Sequence, residues 1–72
     1  MNHRDQFSRG FYVVEAGAVL WGPLAKIAAN AEAASLSALC DSELDVVDRG
    51  GVVWSTWCGG EIEYDKDAVV QR

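Results

Sequence analysis

Apolar residues fall into a β-branched and aromatic run near the start, a long Ala-rich stretch, and alternating runs toward the end. Phe11-Tyr12-Val13-Val14-Glu15 has strand composition. Ala16-Gly17 suits a tight hairpin turn, and Ala18-Val19-Leu20-Trp21 returns as a second strand. Gly22-Pro23 is expected to end that strand, because proline cannot donate to a ladder. From Leu24 to Cys40 the chain is rich in Ala, Leu, Lys and Glu, which favours helix. At about 100° per residue, Leu24 and Ile27 point roughly 130–140° away from Leu36, Leu39 and Cys40. One straight helix would not bury both groups. Asn30 is a good N-cap, and Glu32 two positions later complements the helix dipole. The pattern therefore predicts a helix over about 30–41 with Ala33, Leu36, Leu39 and Cys40 inward. Residues 23–29 form a lead-in turn or a separate short helix; the alternative is one long helix with Pro23 at its first position.

The rest of the chain predicts a three-stranded meander. Glu43 to Asp48 is followed by the turn Arg49-Gly50-Gly51, then Val52 to Trp57, then the turn Gly59-Gly60, then Glu61 to Asp65. Strict alternation sets Trp57 opposite Ile62 and Ser55 opposite Tyr64. The inner face becomes Leu44, Val46, Val53, Ser55, Trp57, Ile62 and Tyr64. The outer face becomes Asp45, Val47, Val52, Trp54, Thr56, Glu61, Glu63 and Asp65. The expected fold is α+β: a four- to five-stranded antiparallel sheet with one α-helix packed on one face, in the order ββαβββ.

At 72 residues the chain is one domain. Residues 1–10 read as a polar, flexible leader and residues 11–72 as the folded unit. Half the residues are apolar and 24% are charged, which is globular composition. The net charge is −5, and all of it lies in the second half. There Asp41, Glu43, Asp45, Asp48, Glu61, Glu63, Asp65 and Asp67 face only Arg49, Lys66 and Arg72. No basic stripe exists, so direct nucleic-acid binding is not expected. Acids also keep a small domain soluble. Cys40 and Cys58 fit unbridged thiols in a reducing cytoplasm. Glu15 and Lys26 interrupt the only stretch resembling a signal sequence, and no run is long enough to cross a membrane.

No catalytic template is present. The only histidine, His3, lies in the leader, and the glycine pairs read as turns rather than phosphate cradles. No enzyme activity, cofactor or metal is expected. The outer sheet face asks for explanation, because Val47, Val52 and Trp54 stand there among carboxylates. An apolar centre with a polar rim is the anatomy of a protein-binding patch. The occupant is a partner with a basic surface, a second copy, or the chain's own N-terminal hairpin folded over Trp54. Trp21 and Trp57 read as core.

Hairpin (Phe11 to Trp21), Ala-rich helix (from Asn30-Ala31-Glu32-Ala33-Ala34) and meander with Gly-Gly turns resemble small phage-encoded anti-CRISPR proteins. The resemblance covers residues 11–65, lies in topology, and carries over no functional residue. It implies a non-enzymatic inhibitor that sits on a CRISPR effector complex and blocks nucleic acid from its basic channel. Gly22-Pro23-Leu24 before the helix is also similar to SPOR-type peptidoglycan-binding modules, which are longer and periplasmic. The function expected is a protein-binding inhibitor or adaptor, with a small homodimeric accessory protein as the alternative.

Overall fold

A computed structural model describes residues 9–40 and 42–69, for Arg9, Cys40 and Val69 the backbone only. The elements follow the order β1 (Arg9–Glu15), β2 (Ala18–Ala25), α1 (Lys26–Cys40), β3 (Glu43–Asp48), β4 (Val53–Cys58), β5 (Glu61–Asp65) and a final turn of helix, α2 (Lys66–Val69). The five strands form one antiparallel sheet in the order β2-β1-β3-β4-β5. Helix α1 leaves one edge and packs across the sheet, so the fold is α+β as expected. Strand β1 begins at Arg9, inside the segment read as leader. Residues 1–8 lie outside the described residues.

The core lies between α1 and the sheet: Val13, Ala29, Ala33, Leu44 and Val46, with Phe11, Leu24, Leu36 and Trp57 packed against it. The helix meets the sheet through small side chains. Ala29, Ala33 and Ser37 recur every four residues and are all fully buried, so the backbone can approach closely. Ala33 and Leu36 face inward as expected, but the helix is longer than expected and Leu39 does not join them. It is one helix from Lys26, and Leu39 is 82% exposed. Large residues dominate a periodicity argument, but the fully buried positions of α1 are Ala29, Ala33 and Ser37. Cys40 was also expected inward, and its side chain lies outside the described residues.

Ser37 ties the helix to the far hairpin. Its Oγ donates to the carbonyl of Ala34 (3.2 Å) and accepts from the Gly60 amide (2.9 Å). Gly60 has φ +84°, and a Cβ there would lie 3.0 Å from the Ala38 Cβ. Only glycine fits this β4–β5 turn under the helix.

Strand β2 does not stop at Gly22-Pro23, whose peptide bond is cis, but continues to Ala25. As an edge strand it needs no outward amide at Pro23. Strand β2 takes three steps from Trp21 to Leu24 where β1 takes two from Val13 to Phe11, so the register slips by one. Gly22 (φ +133°) lies so close to β1 that a Cβ would meet Tyr12 Cδ2 at 2.6 Å and the Phe11 carbonyl oxygen at 2.9 Å. Trp21, expected in the core, is 51% exposed beside this bulge.

Replacing Gly22 by Ala should therefore destabilise the protein by about 1–3 kcal/mol. Urea unfolding followed by far-UV circular dichroism measures it. An unchanged midpoint would mean that β2 does not approach β1 in this way.

Candidate functional site

Cross-strand pairs define the face turned away from α1. Val19, Val14, Asp45, Thr56 and Tyr64 form one row across all five strands. Tyr12, Val47 and Val53 form a second, and Glu43, Cys58 and Glu61 a third. Among the described residues no element covers this face. Its centre is apolar and aromatic. Its acids gather toward one end, where Glu43 and Glu61 are exposed and Asp45 accepts a hydrogen bond from Thr56 Oγ1 at 2.8 Å. Arg49 Nε lies 3.7 Å from where a Cβ on Gly10 would sit, at the opposite end of the β1–β3 pair from Glu43.

Of the residues expected on this patch, Asp45, Val47, Thr56 and Glu61 are there. Val52 is exposed in the loop between β3 and β4. Glu63 is exposed at a bulge, because β5 spends two steps from Ile62 to Tyr64 while β4 takes one from Trp57 to Thr56. Trp57 does face Ile62, but the bulge sets Tyr64 opposite Thr56 instead of Ser55 and turns its ring to the open face. Val53 moves the same way. Between Ser55 and Val53 strand β4 spends two steps against one from Val46 to Val47. Sequence reasoning put Val53 and Tyr64 inside and gave Tyr12 and Val14 no face. No glycine or other marker signals either bulge.

The extra residue in β4 is Trp54, expected to be the exposed anchor of the patch. It lies instead on the helix side, half-buried. Its ring meets Phe11 edge-on, with centroids 6.1 Å apart and planes at 82°. Lys26 Nζ sits 4.7 Å and Lys66 Nζ 5.2 Å from the ring centroid. Lys26 opens α1, where the helix dipole disfavours a cation. The indole and an ion pair with Asp67 offset that cost. The Trp54 Nε1–H donates to Asp48 Oδ2 at 3.0 Å.

Asp48 organises the β3–β4 loop. Its Oδ1 accepts from the amides of Gly50 (2.9 Å) and Val52 (3.0 Å). Its carbonyl accepts from Gly51 (3.0 Å), and its amide donates to the Val52 carbonyl (3.1 Å). The Trp54 indole and then the Val52 amide hold the carboxyl below the ordinary aspartate pKa; desolvation opposes them, and the amides of Gly50 and Gly51 add smaller support.

A shallow cleft of about 210 Å³ opens beside Trp54, lined by Lys26, Ile27, Asn30, Trp54, Ser55, Ile62, Asp65 and Asp67. Its polar groups serve the fold. Trp57 Nε1 donates to Ser55 Oγ (2.9 Å), which donates to Asn30 Oδ1 (2.7 Å). Asp65, expected on the outer face, pairs with Ser55 on the helix side and caps α2, accepting from the amides of Asp67 (3.0 Å) and Ala68 (3.4 Å). Among the described residues no group of three or more His, Cys, Asp or Glu could hold a metal ion. No described helix is long and apolar enough to cross a membrane. Comparison with protein-family models, with curated proteins and with solved structures gives no match to this chain.

Two outcomes follow from this geometry. Trp54→Ala should lower stability by about 2–3 kcal/mol, less than truncation of a fully buried tryptophan. Chemical unfolding followed by circular dichroism reads it, and a variant as stable as the parent would put the indole back on the open face. Asp48 stabilises the fold as a carboxylate, so its contribution is present above the unfolded-state pKa and is lost as pH falls through the lowered folded-state value. The urea midpoint of Asp48→Asn should lie below the parent's at neutral pH, and the gap should close as pH falls below the ordinary aspartate range. A gap independent of pH would contradict the role given to the carboxylate.

Proposed function

We propose that the chain is a non-enzymatic protein-binding module that docks its helix-free sheet face on a basic protein surface. One observation carries the reading. The row Tyr12-Val47-Val53, with Tyr64 beside it, is apolar on a face that no described element covers; it borders Asp45, and Glu43 and Glu61 lie one row further on. Tyrosine is an effective interface anchor, because it offers a large rigid ring and a polar tip. The neighbouring carboxylates would meet Arg or Lys on the partner and speed encounter at low salt. The cleft on the other side supports the same reading, because Asp65 and Asp67 are engaged in capping α2 and holding Lys26.

The particular case is an inhibitor or adaptor encoded by a phage or mobile element and acting in the cytoplasm. Its acids would take the place of nucleic-acid phosphates on a basic surface such as that of a CRISPR effector complex. Trp54 has no part in this contact. Its role as anchor passes to Tyr12 and Tyr64.

The test is capture of a protein from a lysate of the source organism by the immobilised chain, followed by measured affinities for the purified partner. Tyr64→Ser should weaken binding about 30-fold or more. The double variant Glu43→Lys, Glu61→Lys should slow association most at low salt. The bound partner should lose affinity for its nucleic acid. Affinities that ignore all three substitutions, or rates independent of ionic strength, would contradict the proposal.

A further inference from the structure

Helix α2 is a single turn of four residues, Lys66–Val69. A turn that short does not sustain itself in water, so its place is set by what fastens it. It packs on β4. Lys66 is half-buried, and Asp67 and Ala68 are exposed. Among the described residues three polar contacts fasten it. Asp65 Oδ1 accepts from the amides of Asp67 (3.0 Å) and Ala68 (3.4 Å). Lys66 Nζ stands 5.2 Å from the centroid of the Trp54 ring. Asp67 pairs with Lys26, whose Nζ lies 4.7 Å from the same centroid. Two of the three thus converge on one indole. The contact that crosses to α1 is an ion pair whose acid is 61% exposed. A pair so open to solvent is weak and is screened by salt. The sheet and α1 are held by other means, through the buried Val13, Ala29, Ala33, Leu44 and Val46.

We propose that α2 is a strap that lifts from Trp54 as a unit while the sheet and α1 stay folded, and that the Lys26–Asp67 ion pair sets how often it opens. Closed, the strap brings Asp67 to the wall of the cleft beside Trp54 and keeps Lys66 on the indole. Open, it takes both away. The bared ring then joins Ile27 and Ile62, already 57% and 44% exposed on the same cleft, in one apolar surface. Opening also leaves Lys26 without its carboxylate at the positive end of α1, where a cation is disfavoured, and that charge draws the strap back. Segments with little buried apolar contact open at the low end of the stability range, here in roughly 1–10% of molecules at low salt. The strap thus sets whether the helix side offers an aromatic contact at all. It lies on the opposite side of the sheet from the proposed docking face, so the two readings stand or fall separately.

Amide exchange of the full chain, followed by NMR, tests it. At about 20 mM salt the amides of Asp67 and Ala68 should be protected about 10- to 100-fold, against at least about 1,000-fold for the slowest amides of β3, the central strand. At about 500 mM salt the protection of Asp67 and Ala68 should fall about two- to fivefold. The Lys66 ε-methylene protons, shifted upfield by the ring current of Trp54, should move toward ordinary lysine positions over the same range. Asp67→Asn should show the lowered protection at both salt concentrations, while Glu61→Gln on the open face changes neither reading. Protection equal to that of β3 would mean that α2 opens only with the whole fold. Absence of protection at low salt would mean that no closed strap exists. A salt response that survives Asp67→Asn would remove the ion pair from control of the opening. Each of these results would overturn the proposal.

Discussion

The step that β4 takes with two residues where β3 takes one decides on which side of the sheet Trp54 lies. With plain alternation the indole would stand on the open face and Val53 beneath the helix. The bulge reverses both. Once turned, the ring finds partners that only the helix side offers: the edge of Phe11, the ammonium groups of Lys26 and Lys66, and the carboxylate of Asp48. Each contact is worth on the order of 1 kcal/mol. They act on elements that would otherwise fray, namely the first turn of α1, the short α2 and the loop after β3. In a domain of 72 residues with a small apolar core, polar and aromatic contacts of this kind matter more than in a larger protein.

The same displacement shapes the surface. The described lysines gather around Trp54 on the helix side, where Asp67 pairs with Lys26 and Asp65 caps α2. Glu43, Asp45 and Glu61 are left on the opposite face, beside an apolar strip that now includes Val53 and Tyr64. Acid and aromatic surface thus coincide on one side of the sheet, while the uncharged β2 edge borders both sides. The two faces and the one apolar edge are therefore three separate surfaces with different chemistry, and among the described residues only the helix side is covered by another element of the chain.

Much of this architecture is legible in the sequence. Ala16-Gly17, Gly50-Gly51 and Gly59-Gly60 mark turns between β-branched runs, and the five strands and the helix follow from them. Asp45, Val47, Thr56 and Glu61 fall on the expected face because regular pairing joins them to their neighbours. What resists reading has physical causes. A bulge needs no marker residue, so Trp54 and Glu63 look like ordinary strand positions, and every face assignment beyond them inverts. The buried stripe of α1 is Ala29, Ala33 and Ser37, small residues that carry little weight in a periodicity argument, while the louder residues Ile27 and Leu39 face away. Pro23 stops a strand only where its missing amide would be needed, and at an edge it is not.

Nuclear Overhauser contacts of the Trp54 indole in isotope-labelled protein test the central claim most directly. The account predicts cross-peaks from the indole protons to the Phe11 ring and to the side chains of Lys26 and Lys66. Cross-peaks to Tyr12 or to the Thr56 methyl, with none to the two lysines, would place the ring on the open face and contradict it.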